Sequence, residues 1–303
     1  MQWGSIFVLP PWLAVWWQQF GSGAQLQLTV VRRGEEVIGV APLLVREGTA
    51  SLLGSPDVCD YVDFVVCPGR ETAFFTVLLD DLIKNGINCL DLGLLRHDST
   101  ALVHLAGVAR DRGYQVNCHP EDVSLEMNLP STWEEYLETL TAKQRHEVRR
   151  KLRRLSEMGA VNYRVVHDVT AVNNAMDDFL RMFAQSRQDK SVFLTSRTES
   201  FFRSLAEAMA RAGLLRLGIL ELSGRAAAMV LCFDYNGCRY LYNSGYDPQY
   251  RYLSVGLVSK VLCIKNSLDE GKQRFDFLKG GEPYKYRLGG REVPLYRCQI
   301  TIS

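Results

Sequence analysis

Between Leu214 and Tyr246 the runs LRLGILEL, AAAMVLCFDY and CRYLYNSGY read as three successive strands, parted by Ser-Gly-Arg and by Asn236-Gly237. Asn-Gly between two apolar runs is a strong hairpin signal, because a tight turn there needs positive φ at both central residues. A helix from about Ser254 to Asp269 and a further strand, QRFDFL, follow directly. A chain committed to strands, a helix and another strand in that order is neither all-helical nor all-β, and the expectation is α/β or α+β.

The first half carries the same alternation. Leu26 to Val45 reads as two strands around an Arg-Arg-Gly-Glu-Glu turn, Glu71 to Gly86 as a helix, INCLDLGLL as a buried strand, and Ser99 to Gly113 as a helix with a Ser cap and a terminal Gly. The second half opens near Pro130, where Ser131 and Glu134 fit a capping box, followed by a long helix carrying KQRHEVRRKLRRL. VNYRVV returns as a strand, and helices are expected from about Ala171 to Ser186 and Thr198 to Ala212. Laid side by side, LTVVRRGEEVIGVAPLLV echoes LGILELSGRAAAMVLCF, and LDLGLL echoes FDFLKG. A duplicated fold suits the 303-residue length, twice the roughly 150 residues of a typical domain. The expected division is 1–129 and 130–303, with activity in the second part.

A formal charge of +1 gives no general attraction to nucleic acid or anionic membrane. No apolar run approaches the ~20 residues that span a bilayer, and no basic residue precedes Arg32. A cytoplasmic location is therefore expected. The eight cysteines include no CxxC and sit mostly in apolar runs, so buried thiols are expected, with neither a zinc site nor a disulfide framework. The histidines lack HxxxH spacing, and no metal is expected.

Three segments carry chemistry. In YNSGYDPQYRYLSVGLVSKVL a strand passes through a polar loop into Arg251-Tyr252-Leu253-Ser254-Val255-Gly256, where a helix starts. The first N–H groups of that helix would face an anion, and a pyrophosphate suits the position. The run is close to the acyl-CoA signature Q/R-x-x-G-x-G/A; the plain alternative is Ser254 as an ordinary N-cap. In FDFLKGGEPYKYRLGG an apolar strand ends in a polar cluster with Glu282 and Tyr284 as base and acid candidates, against the alternative of a charged surface turn. Between Lys143 and Arg154 seven bases meet one acid, Glu147, which leaves −5 for the rest of the chain. That helix either binds an anion, RNA or a partner, or is a solvated basic face. Trp12 and Trp16, one helical turn apart, and Trp17 read as packing residues.

The succession PWLAVWWQQFG, KQRHEVRRKLRRL, YNSGYDPQYRYLSVG and FDFLKGGEPYKYRLG resembles the acetyltransferase-like family of bacterial cellulose and exopolysaccharide biosynthesis, the CelD/BcsL type. That family is a branch of the GNAT superfamily related to FemAB-like transferases. This chain departs from its pattern at Val255, Gly281 and Leu288, where proline, aspartate and tryptophan are usual.

The resemblance implies tandem GNAT-like domains, each a mixed sheet flanked by helices, the first degenerate. It implies acetyl-CoA or another acyl-CoA as co-substrate, held by Tyr242, Asn243, Ser244, Arg251, Leu253, Ser254, Val255 and Gly256. Glu282 would be the base and Tyr284 the acid, with Asp276 as a second candidate base; Lys285 or Arg287 would orient an anionic acceptor or the CoA phosphates. The acceptor would be an amine or hydroxyl of a saccharide, a saccharide precursor or a small molecule. Two alternatives stand beside it: a FemAB-like transferase using aminoacyl-tRNA, and a catalytically lapsed scaffold serving exopolysaccharide assembly.

Overall fold

The computed structural model describes residues 3–55 and 57–302. In chain order the elements are α1 (Pro10–Phe20), β1 (Gln25–Arg33), β2 (Glu36–Arg46), β3 (Thr49–Leu52), β4 (Val65–Val66), α2 (Glu71–Lys84), β5 (Cys89–Arg96), α3 (Ala106–Asp111) and β6 (Gln115–Asn128). There follow α4 (Trp133–Thr139), α5 (Ala142–Ser156), β7 (Val161–Val166), α6 (Val169–Ser186), α7 (Gln188–Phe193), α8 (Ser196–Arg211), β8 (Leu215–Leu222), β9 (Arg225–Tyr235) and β10 (Cys238–Tyr246). The last are α9 (Val255–Asp269), β11 (Arg274–Lys279), α10 (Pro283–Arg287) and β12 (Arg291–Thr301). The class is mixed α/β, as the alternation of strand and helix signals requires.

Two compact units are present, 1–124 with 293–303, and 125–292. The sequence-based boundary at 129/130 left the final strand with the second part, whereas its contacts place 293–303 with the first. In the first unit the strand order is β1-β2-β3-β5-β12-β6, with β4 on β2. β1, β2 and β3 are antiparallel, β3 meets β5 in parallel at Thr49↔Cys89 and Ala50↔Leu90, and β12 runs antiparallel to β5. Phe74, Phe75, Leu78, Leu79 and Leu82 of α2 are fully buried against this sheet's apolar side chains. Trp12 and Trp16 are buried too, their indole N–H groups donating to Cys59 Sγ and Ser55 Oγ, each at 3.3 Å.

The expected Ser99–Gly113 helix begins instead with a π-turn over Ala101–Leu105 before α3. Ser99 Oγ accepts from Leu102 N at 3.3 Å, and the Asp63 carboxylate, from a distant loop, accepts from Thr100 N at 2.7 Å and Ala101 N at 3.2 Å. The reading of all eight cysteines as thiols is corrected at one pair. Cys118 of β6 and Cys298 of β12 form a disulfide across neighbouring strands, 180 residues apart in sequence, a separation at which spacing motifs are silent.

In the second unit the order is β11-β10-β9-β8-β7, with residues 125–128 of β6 beside β11. β7 to β10 are antiparallel, and β11 joins β10 in parallel. Every residue of β9 from Ala227 to Asp234 is buried, so both faces of this sheet are covered. Helices α6 and α9 both pack on β9 and β10. The Asn236-Gly237 turn has φ of 47° and 69°, as the hairpin reading requires. Just beyond it Arg239, 1% exposed, donates to both Asp234 oxygens at 2.8 and 2.9 Å and to Asn266 and Glu270.

The internal echo has a structural counterpart. In each unit an antiparallel strand set is followed by a helix and then by a strand parallel to the last of the set: β1-β2-β3, α2, β5 in one, and β8-β9-β10, α9, β11 in the other.

Candidate active site

The second unit's sheet opens at one place. β10 and β11 pair only at Cys238↔Arg274, Arg239↔Phe275 and Tyr240↔Asp276, yet β10 continues to Tyr246 and β11 to Lys279. Beyond Tyr240 the two strands diverge, and the β11-facing backbone of β10 is released from the ladder. On its other edge β10 carries a bulge: Leu241 opposes Cys232 and Asn243 opposes Leu231, so Tyr242 is the extra residue. The Tyr242 ring packs on Phe202 and Phe233. Thus Tyr242, Asn243 and Ser244 lie on the strand segment beside the opening. Gly245 sits where a Cβ would lie 2.4 Å from Phe183 N of α6, which accounts for the glycine.

β10 leads through a short 3-10 helix, Pro248–Leu253, to α9. Ser254 stands at the N-cap position but in the left-handed region, φ 56° and ψ 35°, and its side chain caps nothing. This departs from the ordinary N-cap alternative: Ser254 Oγ bonds to Lys151 Nζ of α5 at 2.8 Å. Leu257 N and Val258 N donate to Ser254 O at 2.9 and 3.0 Å, so Val255 and Gly256 supply the first-turn donors with no acceptor inside the helix. The side chains of Leu253 and Val255 are buried in the core with Leu155 and Leu220, so only their main chain is available to a ligand. Arg251 is exposed. A Cβ on Gly256 would lie 2.8 Å from the Tyr246 ring, which fixes glycine at the junction of strand end and helix start.

β11 ends in a second left-handed residue, Leu278, φ 65°, whose N–H donates to Asp276 Oδ1 at 2.7 Å. Asp276 is fully buried and braces this bend. Lys285, from α10, is buried as well, and its Nζ donates to the carbonyls of Leu278, Lys279 and Gly280 at 2.9, 2.6 and 3.0 Å. The same Nζ lies 2.9 Å from Glu282 Oε2. With its three protons so engaged, Lys285 clamps the loop and has none to spare for an acceptor. Tyr284 packs on Phe277, and Lys260 Nζ of α9 lies 4.9 Å from its ring centroid.

Two lysines that sequence reasoning passed over face this region. Lys260 Nζ donates to Gly256 O at 2.7 Å; burial, with the Lys190 cation nearby, pushes its pKa down to about 7. Lys190 Nζ donates to Ser244 O at 2.6 Å, and burial, with Arg187 adding repulsion, brings it to about 8. Nothing local marks either residue, since each lies in an ordinary helical run.

Arg287 lies apart from Glu282 and Tyr284. It is exposed and lines a cavity of about 830 Å³ with Lys143, His146, Glu147 and Lys151 of α5 and Leu257 of α9. The basic helix therefore flanks the start of α9. Glu147 is held well below the usual carboxylate range, to about 2, by hydrogen bonds from Arg150 and Lys151.

Residues 142–286 match the family model described as acetyltransferase (GNAT) domain. That span runs from the start of α5 to α10 and holds the opening, the Ser254 turn and both lysines. Among solved structures, FemX has a TM-score of 0.69 at 13% identity, covering 97% of this chain and 92% of that one. L-PGS from Bacillus licheniformis has a TM-score of 0.60 at 10% identity, covering 97% and 92%. A conserved protein of unknown function from Bacteroides thetaiotaomicron has a TM-score of 0.61 at 14% identity, covering 96% and 89%. These likenesses concern the fold. No curated protein matches the chain. Among the described residues no helix is long and apolar enough to cross a membrane.

Proposed function

We propose that the second unit is an acyltransferase taking acetyl-CoA or another acyl-CoA, with an amine or hydroxyl of a saccharide, saccharide precursor or small molecule as acceptor. The observation that carries this reading is the divergence of β10 from β11 beyond Tyr240, leading straight into the left-handed turn at Ser254 and the open first turn of α9. The residues present fit the donor: Val255 and Gly256 offer N–H groups to a pyrophosphate at a helix start, and β10 offers unpaired main chain to an extended amide-bearing arm. When bound, the thioester supplies an activated carbonyl and a thiolate leaving group.

The chain's own groups divide the remaining work. Main-chain N–H groups of β10 at the opening stabilise negative charge on an acyl oxygen. Glu282, directly or through water, takes the proton of the attacking amine or hydroxyl, and Tyr284 protonates the departing sulfur. Asp276 braces the bend that aims this loop and stands behind Glu282 as a second base. Arg251 and Arg287, both exposed, would take the donor phosphates or an anionic acceptor. The saccharide acceptor and a role in exopolysaccharide assembly follow from the sequence resemblance.

Isothermal titration with acetyl-CoA tests the reading. Binding is expected in wild type and its loss in Gly256→Trp, whose ring would displace Tyr246 from the turn; a circular dichroism melt separates lost binding from lost fold. Absence of binding in wild type, or unchanged binding in a folded Gly256→Trp, overturns it. A second reading, an aminoacyl-tRNA donor held by α5, draws on the cations Lys143, Lys151 and Arg287 around the α5 cavity. It requires tRNA binding that is lost on charge reversal of Lys143, Arg145 and Arg149, together with indifference to CoA.

A further inference from the structure

Lys260 is only 8% exposed and Lys190 is half-buried, yet each ammonium is met by a single main-chain carbonyl and an aromatic face: Gly256 O and Tyr284 for one, Ser244 O and Phe183 for the other. Each has donors to spare. Of the carboxylates that act on them, Glu282 lies 2.9 Å from Lys285 Nζ and Asp189, beside Lys190, is paired with Arg187 at 2.9 Å. Among the described residues neither Lys190 nor Lys260 therefore has a carboxylate of its own within ion-pairing distance, in a poorly solvated place. A charge withdrawn from water costs heavily unless it is paired, so natural interiors pair or neutralise it.

The two lysines also address one spot. Ser244, which receives Lys190, is two residues before Tyr246, and the Tyr246 ring abuts Gly256, which receives Lys260. They thus bracket the end of β10, within the stretch past Tyr240 that no longer pairs with β11. We propose that Lys190 and Lys260 form a subsite for a carboxylate of the substrate, so that the ligand and not the protein supplies the missing counter-charge. The inference deepens the acyltransferase reading, since it rests on the β10 opening as the transfer site. The carboxylate has two possible sources: the far end of a dicarboxylic acyl chain on the donor, or an acid group on the acceptor.

Binding an anion here raises both lysine pKa values, so carboxylate uptake carries protons with it at pH 8. The titratable and charged groups around Lys260 are Lys190, Cys232, Cys263 and Glu282, with Tyr284 beneath it; around Lys190 they are Arg187, Asp189 and Glu282. Burial pushes the Cys232 thiol up and its hydrogen bond with Cys263 holds the Cys263 thiol below the usual value, while Lys190 and Lys260 change protonation near neutrality.

The first measurement uses malonate as probe, without CoA, at fixed ionic strength against chloride. Malonate is expected to raise the melting temperature of wild type above chloride, with the effect abolished in Lys260→Met and reduced in Lys190→Met. Calorimetry on wild type in two buffers of different ionisation heat is expected to show uptake of about one proton per malonate at pH 8, a readout that needs no variant to fold. Two further arms assign the source. About tenfold tighter binding of succinyl-CoA than acetyl-CoA marks the donor, while a similar preference for alanine over ethylamine, with CoA present, marks the acceptor. The proposal is overturned if malonate acts no differently from chloride on wild type, if both variants keep the wild-type shift, or if binding takes up no proton. If CoA and acetyl-CoA fail to bind while malonate still acts through the lysines, the carboxylate subsite stands and the acyltransferase reading falls.

Discussion

Single residues set most of this site's chemistry, and their legibility was uneven. Glu282 and Tyr284 stand out in sequence because a polar cluster follows an apolar strand; Glu282 stands at the N-cap of α10 and Tyr284 lies within it. Lys285 stands out in the same cluster, yet its ammonium is consumed by three carbonyls, a geometry that depends on the bend at Leu278 and not on residue type. Lys260 and Lys190 were illegible because their chemistry comes from burial, which their helical runs do not advertise. Lys260 also sets a pH dependence of stability. Its folded pKa of about 7 lies below its unfolded value of 10.5, so the neutral amine's contribution is complete above the unfolded value and is lost as pH falls through 7. Lys260→Met removes the titration and keeps the bulk. Between pH 10 and pH 6 this variant is expected to gain on the order of 4 kcal/mol on wild type. Urea unfolding at pH 10, 8 and 6 checks it, and parallel pH profiles for the two proteins would contradict it.

At the scale of elements, the periodic segments were read closely and their junctions were not. The expected capping box of Ser131 and Glu134 is formed one residue later: Thr132 Oγ1 accepts from Glu135 N at 3.2 Å, and Glu135 Oε2 accepts from Thr132 N at 3.1 Å. The run STWEE holds both phases of the S/T-x-x-E pattern, and only packing of Tyr136 and Leu137 into the core selects between them. A second box, Thr141 with Gln144, starts α5. Thr132→Ala should therefore cost ~1 kcal/mol and Ser131→Ala close to nothing. Denaturant midpoints measure both, and equal losses would mean that the cap is shared. The divergence of β10 from β11 was hidden for a related reason. Both runs have strand composition throughout, and composition does not say where a ladder stops.

At the scale of the whole chain, length and alternation were enough for a mixed α/β fold with a repeated element order. What the sequence concealed was long-range return. β12 begins at Arg291, shortly after α10, and from Val293 onward it belongs to the first unit, where it runs antiparallel to β5 with Leu295 opposite Arg96 and Ile300 opposite Leu90. Leu295, Cys298 and Ile300 are buried, and the last two lie in the same core as α2. The Cys118–Cys298 bond adds a covalent tie to β6 within that unit. A break ahead of β12 should consequently damage the half of the chain that is distant in sequence. Removing that strand strips β5 of its antiparallel partner and opens the core that α2 covers, a loss beyond a small domain's margin of stability of about 5–15 kcal/mol. Truncation after Glu292 is expected to red-shift the emission of the buried Trp12 and Trp16 in the first unit. Cys118→Ser with Cys298→Ser, which keeps the strand, should leave that emission at wild-type wavelength. If the truncated chain retains blue emission and a cooperative melt, β12 is dispensable to the first unit and its pairing with β5 does not hold that unit together.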